Sequence, residues 1–147
     1  MKKDFELAAV IRVRYSETDQ MGIVYNANYL DWFEVARTEL CRSWGRPYSE
    51  WEKEGFMIPV AEAHCRYKRP AHYDDVIEIW CRADEVNPHS MRFEYRVLNS
   101  DGKKLLAEGW TKHACTDREG KLCKKPHPFY EWILSKVEKE GNAGEEA

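Results

Sequence analysis

Two carboxylates, Glu17 and Asp19, sit in a short polar loop that leads through Gly22 into an amphipathic run beginning near Asn26 to Asn28. A carboxylate can attack a carbonyl carbon, or activate water to do so, when a donor holds the carbonyl oxygen as charge develops on it. A helix start supplies such a donor from the main chain, because its first N–H groups are unpaired and lie at the positive end of the helix dipole. One carboxylate and one oxyanion donor could therefore face the same carbonyl. The same spacing also suits a purely structural arrangement, with Asp19 as a turn residue and Asn26 or Asn28 as a helix cap. Spacing alone leaves both readings open.

The loop needs an element on each side. Ile11, Val13 and Tyr15 alternate with Arg12, Arg14 and Ser16, the period of a half-buried strand, so a first strand is expected over Phe5 to Ser16. From Leu30 the apolar residues Phe33, Ala36, Leu40 and Trp44 recur at gaps of three and four, which predicts a helix with one buried stripe. Gly45 and Pro47 stop it. On that helix Glu34 and Arg37 have the i, i+3 spacing of an ordinary ion pair.

Further along, Tyr48 to Lys53 reads as a short helical turn, and Phe56 to Arg69 as a strand bent at Pro59 and ended by Pro70. Val76 to Ala83, Met91 to Val97 and Lys104 to Thr116 alternate as strands, separated by turn signals at Asn87-Pro88-His89 and Asn99 to Gly102. A final helix is expected from about Phe129 to Lys139. Strand, long helix, then a run of strands whose turns permit antiparallel pairing describes an α+β domain with a sheet against one helix.

The ordered motif Tyr15-x-x-Thr18-Asp19-x-x-Gly22-x-Val24-Tyr25-x-x-x-Tyr29-x-x-Trp32-x-Glu34-x-x-Arg37-x-Glu39 resembles the signature of hotdog-fold acyl-CoA thioesterases of the 4-hydroxybenzoyl-CoA thioesterase type, including the subgroup associated with the bacterial Tol-Pal system. The likeness continues through Tyr67-Lys-Arg-Pro-Ala-His-Tyr-Asp-Asp75 and spans about Glu6 to Pro126. It implies a hotdog fold, an antiparallel sheet wrapped around a long central helix, and hydrolysis of an acyl-CoA to free acid and CoA. It also implies that Asp19 is the catalytic carboxylate, as general base or as nucleophile, and that the backbone N–H at Asn26 polarises the thioester carbonyl. Tyr15 stands where many relatives of the Tol-Pal subgroup have tyrosine, with a place in the site or in the core. Those relatives commonly carry histidine at the position of Asn26, and an amide cannot exchange protons near neutral pH as imidazole can.

The resemblance implies no cofactor, and a homodimer or homotetramer with each site between subunits. The phosphates of CoA call for basic residues near an entrance, for which Arg66, Lys68, Arg69, Arg92, Lys124 and Lys125 are candidates. A second reading is an acyl-CoA binding or sensing module of weak activity, motivated by Asn26. A hotdog dehydratase fits less well, since no histidine lies near Asp19 in sequence.

A chain of 147 residues, 43% hydrophobic and 33% charged, fits one globular domain, expected over residues 1–140 with a small, acidic, disordered tail at 141–147. A net charge of −3 gives no support to nucleic-acid binding. The odd set Cys41, Cys65, Cys81, Cys115 and Cys123, with no C-x-x-C, reads as free thiols, and no histidine spacing suggests zinc. With no apolar run after Met1 and no membrane span, a cytoplasmic location is expected.

Overall fold

The computed structural model describes residues 4–45, 47–124, 126–127 and 130–137. Its elements are β1 (Glu6–Arg12), a 3-10 turn (Tyr15–Glu17), α1 (Asn28–Ser43), α2 (Tyr48–Lys53), β2 (Val60–Tyr67), β3 (Val76–Asn87), β4 (Ser90–Asn99) and β5 (Leu105–Ala114). Residues 130–137 are helical. The strands form one antiparallel sheet in the order β1-β3-β4-β5-β2, and α1 packs on its inner face. The expected tail, Lys125, Phe129 and residues 138–139 lie outside the described residues.

The core follows from the alternation of the strands. Ile77, Ile79, Cys81 and Ala83 of β3 and Met91, Phe93, Tyr95 and Val97 of β4 are all buried, facing Trp32, Phe33, Ala36 and Leu40 of α1. Phe33 stacks on Tyr95 with ring centroids 4.2 Å apart and planes 6° apart. The helix approaches β5 so closely at Gly109 that a Cβ there would meet the His64 carbonyl oxygen and lie 2.9 Å from the Phe33 ring. Glycine is therefore the residue that lets α1 seat.

A polar chain crosses this core. Arg37 hydrogen-bonds the Tyr95 hydroxyl, which lies 2.5 Å from Thr111 Oγ1; that oxygen lies 2.8 Å from His113 Nε2, and His113 Nδ1 lies 3.0 Å from the Ile58 carbonyl. Arg37 can only donate and a carbonyl can only accept, so a fully satisfied chain runs one way and requires neutral His113 with its proton on Nδ1. Burial accordingly lowers the His113 pKa to about 4. Arg37 thus reaches into the core, while on the exposed side of α1 Arg42 pairs with Glu39 at 3.4 Å.

Two expectations shift. β1 ends at Arg12 instead of Ser16, because Val13 turns to bond Asp75 and Asp74 through its N–H and carbonyl, and the Glu17 carboxylate then captures the Arg14 N–H at 2.8 Å. Leu30, expected on the buried stripe, is 43% exposed. Tyr29 and Cys41 are buried instead. β2 bonds only β5, and its residues are exposed apart from half-buried Cys65. All five cysteines are free thiols. No helix among the described residues is long and apolar enough to cross a membrane.

Candidate active site

The loop between β1 and α1 is folded by its own main chain. Asp19 N–H bonds the Ile23 carbonyl at 2.9 Å and Gly22 N–H returns to the Asp19 carbonyl at 2.9 Å, a turn that Gly22 closes with φ of 78°. Thr18 bridges Val24, and Ile23 bridges His72, so the loop joins the segment after β2 as a small sheet. Within it Asp19 Oδ1 accepts the Met21 N–H at 2.8 Å. The second carboxylate oxygen has no protein donor among the described residues and is available for chemistry.

Glu17, the other carboxylate, is a different kind of group. It is 6% exposed, with Oε1 on the Arg14 N–H and Oε2 accepting the Trp32 indole N–H at 3.0 Å. Its carbonyl accepts both the Tyr25 N–H and the Asn28 side-chain amide, each at 2.8 Å. Glu17 thus locks the loop to the first turns of α1, and it is saturated with partners. Asn28 ties the loop and does not cap the helix: the capping position is Ala27, which offers no side-chain bond.

The helix start is open. Asn28, Tyr29 and Leu30 donate to the carbonyls of Tyr25, Asn26 and Ala27 at 3.0, 3.2 and 3.2 Å, a 3-10-like first turn. The N–H groups of Asn26 and Ala27 have no acceptor among the described residues, as expected of a first turn with no cap.

Asp19 and Asn26 border a cleft of about 350 Å³ that Ile23, Val24, Tyr29, Tyr67, Lys68, Arg69 and Pro70 also line. It brings together Asp19, Asn26, Lys68 and Arg69 from the residues singled out in the sequence. Lys68 is partly neutralised by Glu108 at 3.4 Å. Tyr15 does not line the cleft: it is 77% exposed in the 3-10 turn, edge-on to Tyr73 at 5.6 Å, which removes it from the core as well. Arg66 alternates to the outer face of the sheet, in a groove with Trp110. Arg92 is on that face too, paired with Asp84 at 3.5 Å and over the Trp110 ring at 4.9 Å. Lys124 follows Cys123, whose N–H bonds the Cys115 carbonyl, while Lys68 bonds the Leu106 carbonyl. Nine strand steps, ~30 Å, separate those two ends of β5.

Tyr67 and Tyr29 are the site residues that spacing did not assign. Tyr29 is buried between Trp32 and Tyr67, with ring centroids at 4.7 and 5.0 Å. Burial pushes both phenols up to about 12, so each keeps its proton near neutrality. Their place in the motif was the only signal. Nothing in residue type distinguished them from core aromatics.

A long helix held in a five-stranded antiparallel sheet, with a carboxylate loop at the helix start, is the hotdog architecture. A family model described as the thioesterase-like superfamily matches residues 13–137. The chain belongs to that family. It is 41% identical over 109 residues to YneP of Bacillus subtilis, covering 74% of this chain and 78% of that protein. It is 32% identical over 107 residues to the acyl-CoA thioester hydrolase YbgC of Escherichia coli O157:H7, covering 73% and 79%. Among solved structures, the DHNA-CoA thioesterase of Staphylococcus aureus superposes with a TM-score of 0.84 at 29% identity, over 92% of this chain and 93% of that one.

Proposed function

We propose that this protein hydrolyses acyl-CoA thioesters to the free acid and CoA, with Asp19 as the reacting carboxylate. The observation that carries the reading is the juxtaposition of an Asp19 carboxylate oxygen and the helix-start residue Asn26, whose main-chain N–H is unpaired among the described residues, around one cleft. A thioester seated there directs its carbonyl oxygen to the Asn26 N–H and its carbon toward Asp19. As general base, Asp19 takes a proton from water while the water oxygen bonds the carbonyl carbon; the tetrahedral intermediate then expels the CoA thiolate, which leaves as the thiol once protonated. As nucleophile, Asp19 forms an anhydride that water opens, with the same products. Lys68 and Arg69 at the cleft mouth suit the CoA phosphates.

The assembly belongs to the same proposal. β2 has one edge on β5, is exposed along most of its length and ends at the cleft in Tyr67. Two-fold antiparallel pairing of β2 with a second copy would cover that edge and add a wall to each site. Sedimentation at micromolar concentration is expected to give a dimer or tetramer, and an active monomer would remove the shared site. A cytoplasmic location accords with the free thiols, and assignment to the Tol-Pal-associated branch rests on the loop motif.

The decisive measurement is thiol release from a panel of aliphatic and aromatic acyl-CoAs, run beside binding of the same compounds. Turnover of at least one is expected. Tight binding with no turnover of any would favour an acyl-CoA binding module, for which the proton-inert Asn26 side chain is the motivating feature.

A further inference from the structure

The proposed oxyanion donor, the Asn26 N–H, belongs to a helix start that has no side-chain cap, yet it must be held to within a fraction of an ångström to matter. One side chain does hold that turn from outside it. The Tyr67 hydroxyl, at the end of β2, donates to the Asn26 carbonyl oxygen at 2.9 Å. Its ring is fixed edge-on against Tyr29, with planes 86° apart, and Tyr29 is itself pinned between Tyr67 and Trp32.

We infer that Tyr67 is a positioning residue for the thioesterase reaction, holding Asn26 by its carbonyl oxygen so that the N–H of the same residue stays aimed at the developing oxyanion. The inference rests on the proposed activity and deepens it.

The peptide planes on either side of Asn26 are rigid, so fixing its carbonyl restricts the backbone rotations that would swing its N–H away from the cleft. Without the Tyr67 bond that carbonyl is held by the 3.2 Å bond from Tyr29 N–H to the same oxygen. Tyr67 is suited to donate, because its phenol stays protonated well above neutral pH. It lies on the cleft wall, but the proton it commits to Asn26 is not free for the substrate. The arrangement also couples the exposed strand β2 to the reacting groups through a single hydroxyl.

Tyr67→Phe in the full chain keeps the ring against Tyr29 and removes only the hydroxyl. The expected result is a fall in kcat of roughly tenfold with KM within about twofold, an unchanged acid limb of the pH profile, and a thermal midpoint close to wild type. Hydrogen exchange at the Tyr29 and Leu30 amides, which close the first turn, should accelerate while amides in the middle of α1 do not. Tyr67→Ala should lose more kcat, and Phe should restore part of it. Wild-type kcat and wild-type exchange in Tyr67→Phe overturn the inference, as does an effect confined to KM. Should wild-type protein turn over no acyl-CoA, the function fails first, and the exchange measurement alone still decides whether Tyr67 holds the helix start.

Discussion

The Glu17 carboxylate and the Trp32 indole form a buried bond, Oε2 to Nε1 at 3.0 Å, that joins the reactive loop to the second turn of α1. It separates the two carboxylates of the loop by role: Glu17 spends both oxygens on the fold, whereas Asp19 spends one on its own turn. The loop can therefore present Asp19 rigidly without using Asp19 to hold itself in place.

Glu17→Ala leaves the Trp32 N–H and the Arg14 N–H without their acceptor, at a cost of about 2–3 kcal/mol. Thermal unfolding should show a midpoint lower by roughly 4–10 °C, and kcat should fall with it. Glu17→Gln keeps one acceptor oxygen and should recover much of the loss. A midpoint unchanged in Glu17→Ala would mean that the loop is held by its main-chain bonds alone.

Asp19→Asn preserves an oxygen for the Met21 N–H, so the turn and the thermal midpoint should survive while turnover drops by several powers of ten. Asn26→Ala should be milder, since its main-chain N–H remains and the substitution removes only an exposed amide that hydrogen-bonds the Tyr67 hydroxyl. Steady-state thiol release on the two variants checks both. Comparable losses would show that the Asn26 amide takes part in the chemistry.

Gly109→Ala puts a methyl group against the His64 carbonyl and 2.9 Å from the Phe33 ring. Either β2 moves off β5 or α1 lifts from the sheet, costing about 3 kcal/mol. Chemical denaturation should show the destabilisation, and the variant should lose any β2-mediated association at the same time. A stable, fully associated Gly109→Ala would mean that the sheet yields more easily than this contact suggests.

His113 gives a signed pH dependence. Burial lowers its folded pKa to about 4, against about 6.5 when unfolded, so between those values the unfolded chain binds more protons than the native one. Its contribution to stability is intact above about pH 6.5 and is lost progressively as the pH falls toward 4, by about 3 kcal/mol across the window. Urea denaturation at a series of pH values should show that slope, and His113→Gln should flatten it. An unaltered slope would assign it to other groups, among them His127, whose pKa burial also lowers.

Periodicity decided much of this protein by itself. Period two in β3, β4 and β5 and the three-four spacing of Phe33, Ala36 and Leu40 specify which faces are buried, because a half-buried strand or helix has only one way to hide its apolar side. The loop motif likewise pointed to Asp19 and Asn26, which line one cleft. What periodicity could not decide were the contacts between elements far apart in sequence. That Glu17 serves Trp32, that Arg37 turns inward to Tyr95, and that Tyr67 reaches 41 positions back to the Asn26 carbonyl all depend on how α1 is seated. The separation of Lys68 and Arg69 from Arg66, Arg92 and Lys124 has the same origin: a charge is legible in sequence, but which face of the sheet and which end of β5 it occupies is set by strand register and by the packing that fixes it.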